Sequence, residues 1–294
     1  MTKDIQKLKK WLLMEELKRQ GKAPKKRLWV FVGLALVALL ATGGFWYQAS
    51  LQARLEETWQ EGLELRRQGE YADAVALFIN YYNKHASHAR ASKALFQAAE
   101  MQDLYLGLYS DAMLTYLLLE RDYPESEEVF PARMQIATLY KYRLNDCSQA
   151  IAVYQKILDQ PGQEQDRLQY EVADCYFRLN NYEQARIEFE SLVKNFPDST
   201  LIAEVRYRIA ITYTLEGLLP EAAGAYRLVL KDWAESPYAL EARFSLATVL
   251  EEQEELLEAL KILEDLVGVY PNEDVLERKT VQVRERIEKK KKAI

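Results

Sequence analysis

One short figure recurs six times along the chain: an aromatic residue or leucine (once a cysteine), two variable positions, an alanine, and another aromatic or leucine four residues later. It reads Tyr71-Ala-Asp-Ala74 with Phe78, Tyr109-Ser-Asp-Ala112 with Tyr116, Cys147-Ser-Gln-Ala150 with Tyr154, Tyr182-Glu-Gln-Ala185 with Phe189, Leu219-Pro-Glu-Ala222 with Tyr226, and Leu256-Leu-Glu-Ala259 with Leu263. The alanines stand 38, 38, 35, 37 and 37 residues apart. A period of this length marks an array of stacked units, each too small to bury its own apolar face.

About twelve positions before each alanine stands another small residue, in turn Gly62, Ala99, Ala137, Ala173, Ala210 and Ala247. Pro124, Pro161, Pro197 and Pro271 follow their alanines by eleven or twelve residues, where proline ends a helix or opens the next turn. Each unit therefore reads as two antiparallel helices. Small residues at facing positions let the axes approach, and Tyr, Phe and Leu fill the gaps. With 49% apolar and 29% charged residues, and only 11 Gly and 8 Pro in 294, the composition suits packed helices better than disorder.

This pattern resembles the tetratricopeptide repeat. Its landmarks are clearest in Gly62, Gly69, Tyr71, Ala74 and Phe78, and again in Ala173, Tyr176, Tyr182, Ala185, Phe189 and Pro197. The resemblance covers about residues 55–275 and implies an all-α fold, a right-handed α-solenoid of about six helix pairs. The junctions Asp122-Tyr-Pro-Glu-Ser126, Asn195-Phe-Pro-Asp-Ser199 and Val269-Tyr-Pro-Asn-Glu273 look like those of bacterial cell-envelope repeat proteins. Those include the Tol–Pal coordinators, the lipoprotein of the outer-membrane assembly machine and a translocon-associated inner-membrane relative. The chain departs from the lipoprotein in lacking a lipidatable Cys, and from the coordinator in having an anchor and no N-terminal coiled coil.

Ahead of the repeats, Leu28 to Tyr47 is a run of 20 residues without a charge, enough as a helix to cross a hydrocarbon core of about 30 Å. Trp29 stands near one end and Trp46 and Tyr47 at the other, where amphipathic rings favour the interface. Lys25, Lys26 and Arg27 abut its N-terminal side, and the next charge after the run is Arg54. The basic flank predicts a cytoplasmic N-terminus and repeats on the far side, in the periplasm of a bacterial inner membrane. Ala41-Thr42-Gly43 leaves a cleaved signal peptide as an alternative. The expected organisation is a basic leader at 1–27, a transmembrane helix at 28–47, repeats at 55–275 and a capping helix with a basic tail at 276–294. In the leader, Ile5, Leu8, Trp11, Leu12 and Leu17 share one stripe opposite lysines, as for a helix lying on an anionic leaflet, or for a simple topogenic leader.

Charge follows the same division. Residues 1–27 carry net +7, 48–276 carry −18 and 277–294 carry +5. An acidic main domain argues against nucleic acid as a partner. With two His and two Cys in the chain there is no set of ligands for a zinc or iron–sulfur site. His85 and His88, three apart, have Lys84, Ala86, Ser87 and Arg90 as neighbours and read as a surface turn. Cys147 and Cys175 suit either a disulfide in an oxidising compartment or two small buried positions. Neither a nucleophile elbow nor a phosphate loop occurs, so no catalytic residue, metal or cofactor is expected and the chain is not read as an enzyme.

The resemblance also implies a concave groove lined by the first helices. Its expected lining is Gln135, Leu139, Tyr142 and Arg143 in the third pair, Tyr170, Asp174, Phe177 and Arg178 in the fourth, and Tyr207, Arg208 and Ile211 in the fifth. Aromatic rings beside arginines make plausible binding anchors, though the same residues suit packing between pairs. The Lys/Asn carboxylate clamp of co-chaperone members is replaced here by pairs such as Trp59/Leu63, Gln97/Met101 and Tyr207/Ile211. The expected function is a membrane-anchored periplasmic scaffold that binds other envelope proteins or peptide segments, with homo-oligomerisation open. The alternative is a chaperone-like factor holding secreted clients near the translocon.

Overall fold

A computed structural model describes residues 2–19, 26–159, 162 and 164–293. Lys25 of the basic flank and Pro161 of the repeat pattern lie outside the described residues. The chain divides into two compact units, Met1–Ala86 and Ser87–Ile294. Among the described residues every regular element is helical.

The first unit holds α1 (Thr2–Arg19), α2 (Lys26–Gln68) and α3 (Tyr71–Lys84). At 43 residues, α2 is about 64 Å long. It contains the uncharged run and continues without a break into the first helix of the first pair, so nothing separates the expected segments 28–47 and 55–275. Its apolar half is exposed among the described residues: Trp29, Leu40 and Trp46 are 70%, 76% and 74% exposed. Its second half packs on α3, with Leu55, Phe78 and Tyr81 buried and Trp59 set edge-on to Phe78, ring centroids 5.2 Å apart. A Cβ at Gly62 would lie 2.7 Å from the buried Phe78 ring, so the close approach of the two helices there requires glycine.

The second unit stacks five further pairs. These are α4 (Ala91–Leu104) with α5 (Tyr109–Asp122), α6 (Val129–Thr138) with α7 (Cys147–Leu158), and α8 (Gln165–Arg178) with α9 (Tyr182–Asn195). They continue with α10 (Ile202–Leu215) and α11 (Leu219–Asp232), then α12 (Ala239–Glu252) and α13 (Leu256–Asp265). Each helix packs on the next in sequence. All six anchor alanines, Ala74, Ala112, Ala150, Ala185, Ala222 and Ala259, are completely buried, as are the small partners Ala99, Ala137, Ala173, Ala210 and Ala247.

The turn within each pair has a signature of its own. Five residues before every anchor alanine the backbone is left-handed, at Gly69, Gly107, Asn145, Asn180, Gly217 and Glu254. The next residue's N–H then reaches back to a carbonyl of the preceding helix, as Asn181 does to Tyr176 and Leu218 to Tyr213, both at 2.9–3.0 Å. This is the left-handed helix stop that glycine and asparagine favour. The second and third pairs hold one extra residue between small residue and anchor, and their closing bonds span six residues, Leu108 to Gln102 and Asp146 to Tyr140. In the third pair the extra residue is absorbed by a π-helical turn, Leu139–Arg143, that continues α6.

A last helix, α14 (Glu273–Ala293), closes the stack. Leu276, Thr280 and Val283 are buried against it and Ile287 packs on the same cluster. Val281 is exposed, because 276, 280, 283 and 287 form the inward face and 281 falls off it.

Candidate functional site

The expected groove residues come from α6 (Gln135), the π turn, α8 and α10, and the structure ties several of those on α8 and α10 to one another. Tyr170, Asp174 and Phe177 share one face of α8 at helical spacing. Arg208 of α10 meets that face three ways: Nη1 lies 3.5 Å from Asp174 Oδ1, Nη2 donates to the Tyr170 hydroxyl at 3.4 Å, and the guanidinium lies over the Phe177 ring at 5.3 Å. The Tyr170 hydroxyl donates to Glu204, whose other carboxylate oxygen accepts from Tyr238 at 2.7 Å. Tyr238 in turn stacks on Tyr207 with centroids 5.7 Å apart. Burial, then the Glu204 carboxylate, push the Tyr170 hydroxyl above the usual phenol range, and the same causes bring Tyr238 up to about 12.

On its other side Asp174 meets a residue absent from the expected groove. Lys141, within the π turn, is fully buried, and its Nζ lies 2.6 Å from Asp174 Oδ2 and 2.6 Å from Glu171 Oε2. Burial alone would lower its pKa, but the two carboxylates outweigh it and hold the ammonium above the usual lysine range. Lys141 belongs to a periodic position, four residues after the small one of each first helix, which also holds Asp103 and Glu251. Both of those are buried. Arg143 is the countercharge that opposes the burial of Asp103, and Lys279 Nζ (2.5 Å) and Arg286 Nη1 (3.0 Å) meet Glu251. A charge four residues past the small residue, with the opposite sign in the first helix of the next pair or, for Glu251, in α14, was the signal available in the sequence.

Tyr142, Arg143 and Arg178 lie at the turn ends of their pairs and are exposed. The Arg178 guanidinium sits over the Tyr142 ring at 5.3 Å, and that of Arg143 over Tyr109 at 5.0 Å. Exposed apolar side chains recur at the same turns: Leu104 and Leu108, Tyr142 and Leu144, Leu179, then Leu215 and Leu218. Antiparallel pairs stacked in order place their internal turns on one edge, so the second unit carries an apolar stripe rimmed by Arg143 and Arg178.

The titratable groups here are spent on ion pairs and tyrosine hydroxyls. Cys147 and Cys175 are free, buried thiols packed in one cluster, and burial followed by contact with Cys147 raises the Cys175 pKa strongly. His85 and His88 lie in the turn after α3, where the Tyr81 ring stands edge-on to His85 and His88 Nδ1 accepts from the Arg90 N–H at 3.2 Å. Among the described residues no group of His, Cys, Asp and Glu is arranged to hold a metal.

Residues 139–200 match the family model described as tetratricopeptide repeat. No curated protein matches the chain in sequence. Three solved structures illustrate the likeness in fold. A tetratricopeptide repeat protein from Parabacteroides merdae aligns at 15% identity over 78% of this chain and 98% of its own, with a TM-score of 0.51. The C-terminal part of a repeat-containing protein from Cytophaga hutchinsonii aligns at 16% identity over 71% and 78%, with a TM-score of 0.53. YrrB, described as having an unusual peptide-binding site, aligns at 16% identity over 68% and 96%, with a TM-score of 0.50. The all-α stack of helix pairs is thus the tetratricopeptide-repeat fold.

Proposed function

We propose that this tetratricopeptide-repeat chain is a single-pass inner-membrane scaffold that displays its helix pairs in the periplasm to bind segments of other envelope proteins. The observation that carries the reading is α2. Its uncharged half is exposed at every described side chain, residues 29–47, and an apolar surface of that extent needs lipid to cover it. A buried helix of a soluble core is disfavoured because none of those described side chains is buried. The same helix then becomes the first helix of the first pair, so the anchor and that pair share one helix with no linker between them.

Binding through the repeats is supported by the fold and by the apolar stripe at the turns. Tyr170, Tyr207, Asp174 and Arg208 are engaged between pairs, which leaves Tyr142, Leu179 and Leu215 as the better-placed contacts. A photoreactive residue at each of these three, in cells, is expected to capture a few discrete partners. A continuous smear would favour the holding of unfolded clients instead. A reporter fused to the C-terminus that is active only in the cytoplasm would refute the orientation.

A further inference from the structure

Between α2 and the end of α3, within the first unit, lies a cleft of about 370 Å3. Leu51, Leu55 and Tyr81 form an apolar floor and Arg54, Lys84 and Asn80 a polar rim. Leu55 and Tyr81 are buried, and the cations of Arg54 and Lys84 have no ion-pair partner among the described residues. No carboxylate is among the residues lining the cleft. The C-terminus of α3 carries a partial negative charge that would repel an anion, and Lys84 stands in that last turn to offset it.

Depth along α2 says what this cleft meets. Leu51 is four residues and Arg54 seven residues beyond Tyr47, the last ring of the uncharged run, or about 6 and 10 Å along the axis. The polar zone of a bilayer extends about 5–8 Å past the hydrocarbon, within reach of a long basic side chain leaning back. An amphiphilic cleft that opens at this level, apolar below and doubly cationic at the rim, matches an anionic amphiphile entering from the side. We propose that it seats the phosphate-bearing headgroup of an anionic phospholipid, with the start of the acyl chain along Leu51 and Leu55. The inference rests on the membrane reading of α2.

The test uses the full chain in nanodiscs of equal phosphatidylglycerol and phosphatidylcholine, followed by mass spectrometry of the lipid that stays with the protein on mild detergent extraction. The wild-type chain is expected to retain phosphatidylglycerol over phosphatidylcholine by about tenfold. Arg54→Gln with Lys84→Gln should bring that ratio back to the bulk value, and Lys194→Gln with Lys231→Gln should leave it unchanged. Equal retention of the two lipids by a chain that resists alkaline extraction from vesicles overturns the site and leaves the anchor standing. A chain that alkaline buffer strips from vesicles overturns both. Displacement of phosphatidylglycerol by millimolar inorganic phosphate overturns the lipid as occupant in favour of a soluble anion.

Discussion

Lys141 shows how much of the molecule's specificity rests on single buried charges. Its ammonium is out of water and neutralised by Glu171 and Asp174 of the next pair, so removing it strips Glu171 of this cation and leaves Asp174 with Arg208 alone, both in a largely buried position. Lys141→Met is expected to lower unfolding free energy by about 3–5 kcal/mol, whereas the triple change with Glu171→Gln and Asp174→Asn recovers most of the loss, as urea denaturation would record. Asp103 has the opposite sign of effect. Burial raises its pKa despite Arg143 and one carboxylate oxygen has no hydrogen-bond partner, so the folded state holds the proton more tightly than the unfolded chain. Stability must therefore fall as pH rises from the ordinary aspartate value of 3.8 through the raised folded value. Asp103→Asn should remove that slope and raise the melting temperature at pH 7 more than at pH 4. None of these charges was legible from apolar periodicity, which selects the exposed Tyr142 beside Lys141 and passes over a lysine. The aromatic–arginine pairing of Tyr170, Phe177 and Arg208 was legible as a cluster, but spacing along one helix cannot say whether a ring faces a partner or the next pair.

At the level of the element, the helix pairs follow directly from the alanine period, because a buried small residue on each helix is the condition for close packing and the sequence displays it six times. The left-handed stop was visible too, though only in hindsight of its register: glycine or asparagine occupies five of the six positions. At Gly217 a Cβ would meet nothing within 4 Å, so the cost of Gly217→Ala is that of the backbone alone. It should destabilise by about 1 kcal/mol, the left-handed penalty less the entropy that alanine removes from the unfolded chain, as measured by thermal melting. What the period could not convey is how the extra residue of the third pair is absorbed, since a loop and a π turn leave the same gap in sequence. The capping helix depends on Glu251 in the same way that the pairs depend on their alanines. Burial opposes its ionisation, but Lys279 and Arg286 outweigh that and lower the folded pKa. The stabilisation is accordingly present above the unfolded value of about 4.5 and lost as pH falls through the folded one. Glu251→Gln should release α14 at neutral pH, seen as faster hydrogen exchange over 273–293, and should flatten the acid dependence of that release.

On the scale of the whole molecule, charge and apolar surface divide the labour. Residues 48–276 carry net −18, whereas net positive charge is confined to the leader at 1–27 and to 277–294, so that on the proposed membrane reading the repeats gain no electrostatic attraction to an anionic bilayer. On the proposed reading attachment falls to the uncharged half of α2, and this yields a sharp test because residues 29–47 are all exposed and lie outside the cores of the helix pairs. Leu36 and Leu40 are 56% and 76% exposed and belong to none of the described core clusters, so replacing both with arginine is expected to leave every pair intact. In a bilayer the same change costs about 2.5–3.5 kcal/mol for each arginine near the helix centre. The wild-type chain is expected to sediment with membranes after alkaline washing at its full mass of 34.2 kDa, and the Leu36→Arg, Leu40→Arg chain to appear in the soluble fraction with an unchanged helical spectrum. A wild-type product shorter by 43 residues would mean cleavage after Gly43, and the membrane role of α2 would end at export. An intact chain that is soluble in both forms would require a protein partner to cover the apolar half of α2, whose described side chains, residues 29–47, are all exposed.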